Sequence, residues 1–188
     1  MRLTPWLLPL FILLLQGCSS KYYYTLGDTS DITMSQTYTK SIAVEKIQIP
    51  KYLKDNNLVR QVTPYQIILI KEANWLTPMQ RRLTNVLINY LQKSLNNPNV
   101  YLFPWETEKE TDKKLSVKIK RLIAYKDEVR LDASYKIRDL KTNQYTTKLF
   151  STIVPTSETT DAMVASMEKA YFQLIEAIKA ELIKNEFD

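Results

Sequence analysis

Apolar positions along this chain follow several different periods, and each period predicts an element. Residues 3–15 are almost wholly apolar and contain Pro5 and Pro9. Tyr22–Leu26 has strand composition, and Gly27–Lys40 is a polar segment rich in Ser, Thr and Asp that reads as a surface loop. Ser41–Ile49 predicts a strand. Ile42 and Val44 share one phase, Ile47 and Ile49 the other, and a slip at Glu45-Lys46 predicts a bulge. Pro50 ends it. Leu58–Val62 predicts a short strand, and Tyr65–Ile70 reads as a continuous apolar run, the pattern of a central strand covered on both faces.

Thr77-Pro78-Met79-Gln80 has the form of a helix start with a capping box. Met79, Leu83, Val86, Leu87, Tyr90, Leu91 and Leu95 then recur at helical spacing, and Asn96-Asn97-Pro98 stops the helix. Val100–Phe103 predicts a short strand. Two alternating segments follow. Leu115, Val117, Ile119, Ile123 and Tyr125 share one face of the first, with Arg121 as the exception; Val129, Leu131, Ala133, Tyr135 and Ile137 share one face of the second. Lys126-Asp127-Glu128 supplies a turn, so the pair predicts an antiparallel hairpin. Tyr145–Val154 predicts a third strand. Ser157–Thr160 offers caps for a long helix marked by Met163, Met167, Ala170, Tyr171, Leu174, Ile178 and Leu182. Two long amphipathic helices and five to seven strands without an internal repeat fit one layered α/β domain.

The start of the chain changes this picture. Met1-Arg2, a short apolar core and a small residue are the order of a secretory signal peptide, and the apolar run is too short and too proline-broken for a spanning helix. Leu15-Gln16-Gly17-Cys18 resembles the bacterial lipobox. That resemblance implies a signal peptide over residues 1–17, cleavage between Gly17 and Cys18, and diacylglycerol and an N-acyl chain on Cys18. The mature domain then covers residues 18–188. Several acyl chains anchor stably where one is marginal, at ~0.8 kcal/mol per buried CH2. Ser19 follows where an aspartate favours inner-membrane retention in enteric-type bacteria, so sorting to the outer membrane is expected. Cys18 is the one cysteine, so acylation leaves no thiol for a disulfide. Only Ser19, Ser20 and Lys21 separate it from Tyr22, roughly 10 Å of extended chain. The folded domain is therefore expected to begin almost at the bilayer.

Composition excludes much chemistry. There is no histidine, hence no histidine-based nucleophile system and no imidazole ligand. Two glycines, Gly17 and Gly27, cannot build a phosphate loop, a dinucleotide turn or a nucleophile elbow. Glu106, Glu108, Glu110 and Asp112 form an acidic cluster, but in a charged stretch with nothing to bury a carboxylate and shift its pKa. It also lacks the spacing and turn glycine of a calcium loop. No catalytic residue, metal or cofactor is expected beyond the acyl groups. The net charge of +6 is spread among acids. Its densest expression is the polar face of the predicted hairpin, where Lys118, Lys120, Arg130, Lys136 and Arg138 accompany Asp132. That face reads either as a solvated surface or as an interface for acidic headgroups or an acidic partner. Trp75 reads either as a packing residue or as an interface anchor. Nucleic acid is not expected, because stacking aromatics are not interleaved with the basic face.

Several segments match one family in order. Tyr23-Tyr24-Thr25-Leu26 follows the lipid cysteine; Val44–Leu53 (VEKIQIPKYL) resembles a valine-rich strand ending in a leucine-proline-x-tyrosine-leucine motif; Leu58-Val59-Arg60 and Asn74-Trp75-Leu76-Thr77-Pro78-Met79 follow at similar spacing. Ile49 stands where leucine is usual, and Leu76-Thr77 where small and acidic residues are usual. This order resembles the PqiC (YmbA-type) ABC-transport auxiliary lipoproteins. The resemblance implies a single three-layer α/β domain with a mixed, mostly antiparallel sheet and two long helices, similar to the TolB amino-terminal domain. It also implies a non-catalytic, ring-forming outer-membrane homo-oligomer that supports envelope integrity. Its partner would be an MCE-domain tunnel protein (PqiB-like), and the assembly would move lipid between membranes. Two other readings compete: an LptE-like assembly factor or plug of an outer-membrane barrel, and an envelope hydrolase using the acidic cluster.

Overall fold

The computed structural model describes residues 20–104 and 111–184. Gly17, Cys18 and the rest of the expected signal segment lie outside the described residues, as do Glu106, Glu108 and Glu110. The described elements are β1 (Tyr22–Tyr24), β2 (Ile42–Val44), a short 3-10 helix (Lys51–Leu53), β3 (Asn57–Thr63), β4 (Gln66–Trp75), α1 (Met79–Ser94), β5 (Val100–Leu102), β6 (Lys113–Tyr125), β7 (Glu128–Asp139), β8 (Tyr145–Pro155) and α2 (Thr160–Lys184). All strands belong to one eight-stranded sheet.

Strand β6 is the spine. One edge pairs with β7 along its whole length, and β7 pairs in turn with β8, all antiparallel. The other edge of β6 is divided. Its first residues, Lys113–Leu115, take parallel β2, with β5 beyond. Its last, Ala124-Tyr125, take parallel β3. Antiparallel β4 lies beyond β3, and β1 beyond β4. The gap between β2 and β3 is closed by the connecting chain: Gln48 bridges to Lys118, and the Leu122 N–H donates to the Tyr52 hydroxyl at 3.0 Å. Long antiparallel pairs thus dominate a mixed, open sheet.

The expected strand over 41–49 forms only at Ile42–Val44. Its departure has a cause in α1: the Ile47 N–H donates to Thr84 Oγ1 at 3.1 Å, and Gln80 Nε2 donates to the Ile47 carbonyl at 2.9 Å. These bonds turn the Ile47 backbone toward the helix. Gln80 is therefore not completing a capping box; α1 starts behind Pro78 with no side-chain cap. In α2 the expected cap is present, Thr159 Oγ1 accepting from the Ala162 N–H at 3.2 Å.

Both helices lie on the same face of the sheet and pack against each other. The Tyr90 and Phe172 rings are 5.3 Å apart, and the Tyr171 hydroxyl donates to the Leu83 carbonyl at 2.8 Å. Sheet and helix pair form one mixed α/β domain, as expected. The segment after β1 runs as a strap along α1. Arg82 Nε donates to the Leu26 carbonyl at 2.5 Å, Lys93 Nζ to the Thr29 carbonyl at 2.6 Å, and the Tyr38 N–H to the Leu95 carbonyl at 3.0 Å. Gly27 sits at φ 85° against Val86, where a Cβ would overlap the valine methyls. Leu26 and Tyr38 of the strap are buried in the single core with both helical stripes.

The alternation of β6 reverses midway. Ile119 opposes Ala133 and Arg121 opposes Asp132, leaving Lys120 as the extra residue of a bulge. Before it Leu115, Val117 and Ile119 face the helices; after it Leu122 and Ala124 do. Arg121, Ile123 and Tyr125 consequently share the opposite face, so Ile123 and Tyr125 do not continue the core row as expected. The bulge is the reason Arg121 breaks the pattern.

Candidate functional site: the uncovered face of the sheet

Because both helices occupy one face, the other face of β6, β7 and β8 carries no helix, although Ile123 on it is buried at 2% exposure. Alternation assigns its residues. On β7 the core row is Val129, Leu131, Ala133, Tyr135 and Ile137, so Arg130, Asp132, Ser134, Lys136 and Arg138 point the other way. Cross-strand partners join them: Lys114 opposite Arg138, Ser116 opposite Lys136, Lys118 opposite Ser134. The five basic residues expected on one face, Lys118, Lys120, Arg130, Lys136 and Arg138, are therefore brought together, and the bulge adds Arg121 to them.

Carboxylates neutralise part of this face. Lys114 Nζ lies 2.7 Å from Glu45, Arg121 lies 2.5 Å from Asp132, and Arg130 pairs with Glu128. Partial burial would raise the pKa of Glu45 and of Asp132. Hydrogen bonds outweigh it and hold both below the usual carboxylate value, from Lys114 and Ser116 to Glu45 and from Ser151 and Arg121 to Asp132. Both acids stay charged and committed to their partners. Among the described residues no carboxylate lies within ion-pair distance of Lys118, Lys120, Lys136 or Arg138. Lys136 Nζ stands 4.0 Å over the Tyr145 ring, and Arg138 Nε donates to Asn143 Oδ1 at 2.9 Å. A net positive surface remains available to an external anion.

Strand β8 adds what the sequence reading did not assign. Tyr145, Leu149 and Ile153 occupy its outward phase, and Leu149 is 77% exposed. The signal was present as apolar residues on both phases of the strand, since Phe150 and Val154 occupy the inward one. An open groove of about 600 Å³ is lined by Lys120, Arg121, Asp132, Leu149 and Ser151 among others. Exposed apolar residues here lie beside cations that have no carboxylate partner among the described residues.

Trp75 leaves the candidate interface. It is 4% exposed, lies in the core cluster, and stands opposite Tyr24 in the β1–β4 pair. A partner cannot reach it, so its role is packing. Asp112 is also structural: the Ser41 N–H donates to it at 2.8 Å, and Lys141 pairs with it at 2.7 Å. Among the described residues no group of three or more His, Cys, Asp or Glu is placed to hold a metal ion, and no helix is long and apolar enough to cross a membrane.

Known proteins share this architecture. A crystal structure of a Xanthomonas campestris protein superimposes with a TM-score of 0.74 at 18% identity, covering 90% of this chain and 98% of that one. A crystal structure of an uncharacterized protein gives 0.72 at 20% identity, covering 87% and 99%. At such identities the likeness establishes the fold. In sequence, the chain is 30% identical over 96 residues to the intermembrane transport lipoproteins PqiC of Escherichia coli K12 and of Shigella flexneri. That match covers 48% of this chain and 51% of those proteins, so the chain spans about half the length of the curated relatives it matches. Residues 24–179, from the end of β1 to the last turns of α2, match the family described as the ABC-type transport auxiliary lipoprotein component. With the match extending over most of the chain, the protein belongs to the ABC-type transport auxiliary lipoprotein component family.

Proposed function

We propose that this chain is a non-catalytic, lipid-anchored subunit of an MCE-type intermembrane lipid-transport system, held at the periplasmic face of the outer membrane through Cys18. The family match over residues 24–179 carries the reading. The open face supports it with a place for a partner, the periplasmic tunnel protein, whose contacting surface would be acidic to meet Lys118, Lys120, Lys136 and Arg138. Homo-oligomerisation into a ring belongs to the same proposal, since a ring of basic faces would give a tunnel end a continuous seat.

Crosslinking of intact envelopes followed by affinity capture of the full chain tests it. An MCE-domain protein is expected in the eluate, and is expected to be lost when Lys118→Glu and Lys120→Glu are combined. A normally expressed chain that captures no MCE protein, or that captures a large outer-membrane barrel instead, overturns the proposal.

A further inference from the structure

The β3–β4 hairpin is unlike the rest of the sheet. Gln61–Ile70 (QVTPYQIILI) contains no charged residue. Its side chains are nonetheless in solvent: Tyr65 is 98% exposed, Leu69 60%, and Val62, Ile67 and Ile68 40–45%. Neighbouring residues of a strand point to opposite faces, so exposure at Ile67, Ile68 and Leu69 in succession leaves both faces of the hairpin bare. Strand β1 pairs only with Ala73–Trp75, so among the described residues the outer edge of β4 from Gln66 to Ile70 has no strand beside it. Such an edge is a liability in water unless something covers it.

The direction of the chain's entry bears on what could cover it. β1 is parallel to β4, with Tyr22 opposite Ala73, so the chain reaches β1 from the end of β4 that leads to the hairpin tip. Cys18 lies four residues before Tyr22. Four residues of chain reach at most about 14 Å, comparable with the length of strand from Ala73 back to Leu69. Tyr22 and Tyr23, next to this entry point, are also more than half exposed. Tyrosine is enriched where membrane meets water. Cations flank the apolar run at Arg60 and Lys71, and Lys21 precedes the tyrosines.

Resting on the lipid-anchored reading of Cys18, we propose that the tip of the β3–β4 hairpin, with Tyr22 and Tyr23, is a second membrane contact that inserts into the bilayer surface beside the acyl chains. A bilayer covers both faces of a hairpin at once, which a protein surface laid on one face does not. The free backbone edge sets the depth. Unpaired N–H and C=O groups are not tolerated in hydrocarbon, so the tip rests at the headgroup level, where water and headgroups satisfy them. Anchor and hairpin together fix the domain's tilt, which a single flexible tether cannot do.

The test uses the mature, purified full chain in phosphatidylethanolamine–phosphatidylglycerol vesicles. A fluorophore is carried at Tyr65→Cys, Ile67→Cys, Ile68→Cys or, as the solvent reference, Leu149→Cys. The introduced thiol is the only free one if Cys18 is acylated, and mass spectrometry of the amino-terminal peptide reads that acylation separately. Expected is loss of quenching by an aqueous quencher and gain of quenching by a lipid-borne one at the three hairpin sites, with Leu149→Cys remaining aqueous. Acylated chain whose hairpin labels stay as open to the aqueous quencher as Leu149→Cys overturns the hairpin proposal alone. Hairpin labels shielded equally in detergent, with Ile68→Cys forming crosslinks between copies, overturn it in favour of a second copy of this chain. An unacylated Cys18 overturns the anchored reading and the proposal with it.

Discussion

Strands β7 and β4 make an instructive pair. Both are long and rich in apolar residues, but β7 lies between two antiparallel neighbours while β4 has one antiparallel neighbour, β3, and one parallel, β1. In β7 the apolar residues alternate, and every member of the row from Val129 to Ile137 is buried beneath the helices. In β4 they are contiguous from Ile67 to Ile70, and most of them are exposed. Alternation states where a strand lies relative to the molecule's own core. Contiguity states only that both faces avoid water, and says nothing about what supplies the cover. In a parallel α/β protein helices supply it. Here both helices lie over the other part of the sheet.

The largest expected effect tests this contrast directly. Leu131→Ala removes a fully buried side chain and is expected to cost about 2–5 kcal/mol of folding stability. Leu69→Ala, a chemically identical change in β4, is expected to stay within about 0.5 kcal/mol, because its site is already open. Urea unfolding of the soluble, signal-free domain measures both. Equal losses would mean that the hairpin is packed within the monomer.

A second prediction sharpens the contrast at the far end of β7. Lys113 is nearly buried, and its ammonium lies 2.7 Å from Asp139 across the β6–β7 ladder. The hydrogen bond from Lys113, joined by the Thr142 N–H, holds the Asp139 carboxyl well below the usual carboxylate range. Asp139→Asn strands a cation with little access to water, and is expected to cost about 2–3 kcal/mol, below the full penalty for a buried pair because Asp139 is partly exposed. The sign in pH follows from the depressed value. Below about pH 4 the unfolded chain takes up a proton that the folded chain resists, so stability is complete above that pH and is lost as pH falls toward the folded pKa. Acid unfolding of Asp139→Asn is expected to show a shallower slope in this window than the wild-type chain.

The parts legible in the sequence were those set by local period. Both helical stripes, the β6–β7 hairpin, β8 and the basic row on one face follow from spacing that a single element can express. The rest depended on what lay opposite. Nothing in the local pattern of Ser41–Ile49 reveals that Thr84 and Gln80 capture the Ile47 backbone. Nor does the contiguous run at Ile67–Ile70 reveal that both helices lie elsewhere. Trp75 had two readings that only burial could separate. The bulge at Lys120 was visible as the misplaced Arg121, but its consequence, the exchange of faces at Leu122 and Ile123, needed the cross-strand register.

Gly27→Ala comes next in size. Its positive φ and the contact with Val86 forbid a Cβ without displacing the strap from α1, at an expected cost of about 1–3 kcal/mol. Hydrogen exchange should show the loss first at the Tyr38 N–H, which closes the far end of the strap on Leu95. The strap joins β1 to β2, so loosening it should leave the β6–β8 ladder protected. Uniform loss of protection would mean that strap and ladder unfold as one unit.

The smallest expected effect on stability falls on the open face, and this separates docking from folding. Lys118→Glu and Lys120→Glu reverse two charges whose side chains have no carboxylate partner among the described residues. Each is expected to change stability by no more than about 0.5 kcal/mol. Their effect should appear instead in partner capture, and there it should depend on salt, because exposed charges act over a Debye length of about 10 Å at 0.1 M ionic strength. Reversal at Leu149, by Leu149→Glu, should weaken capture with little salt dependence, since it removes apolar contact from the centre of the same face. If both kinds of variant lose capture with the same salt dependence, the face acts only through its overall charge, and the apolar row on β8 is ordinary exposed surface. If the charge variants are salt-sensitive and Leu149→Glu is not, the sheet face is a docking surface with a dry centre and a charged rim. The β3–β4 hairpin, for which capture should be unchanged by Leu69→Ala, then serves a different environment from the one that β8 meets.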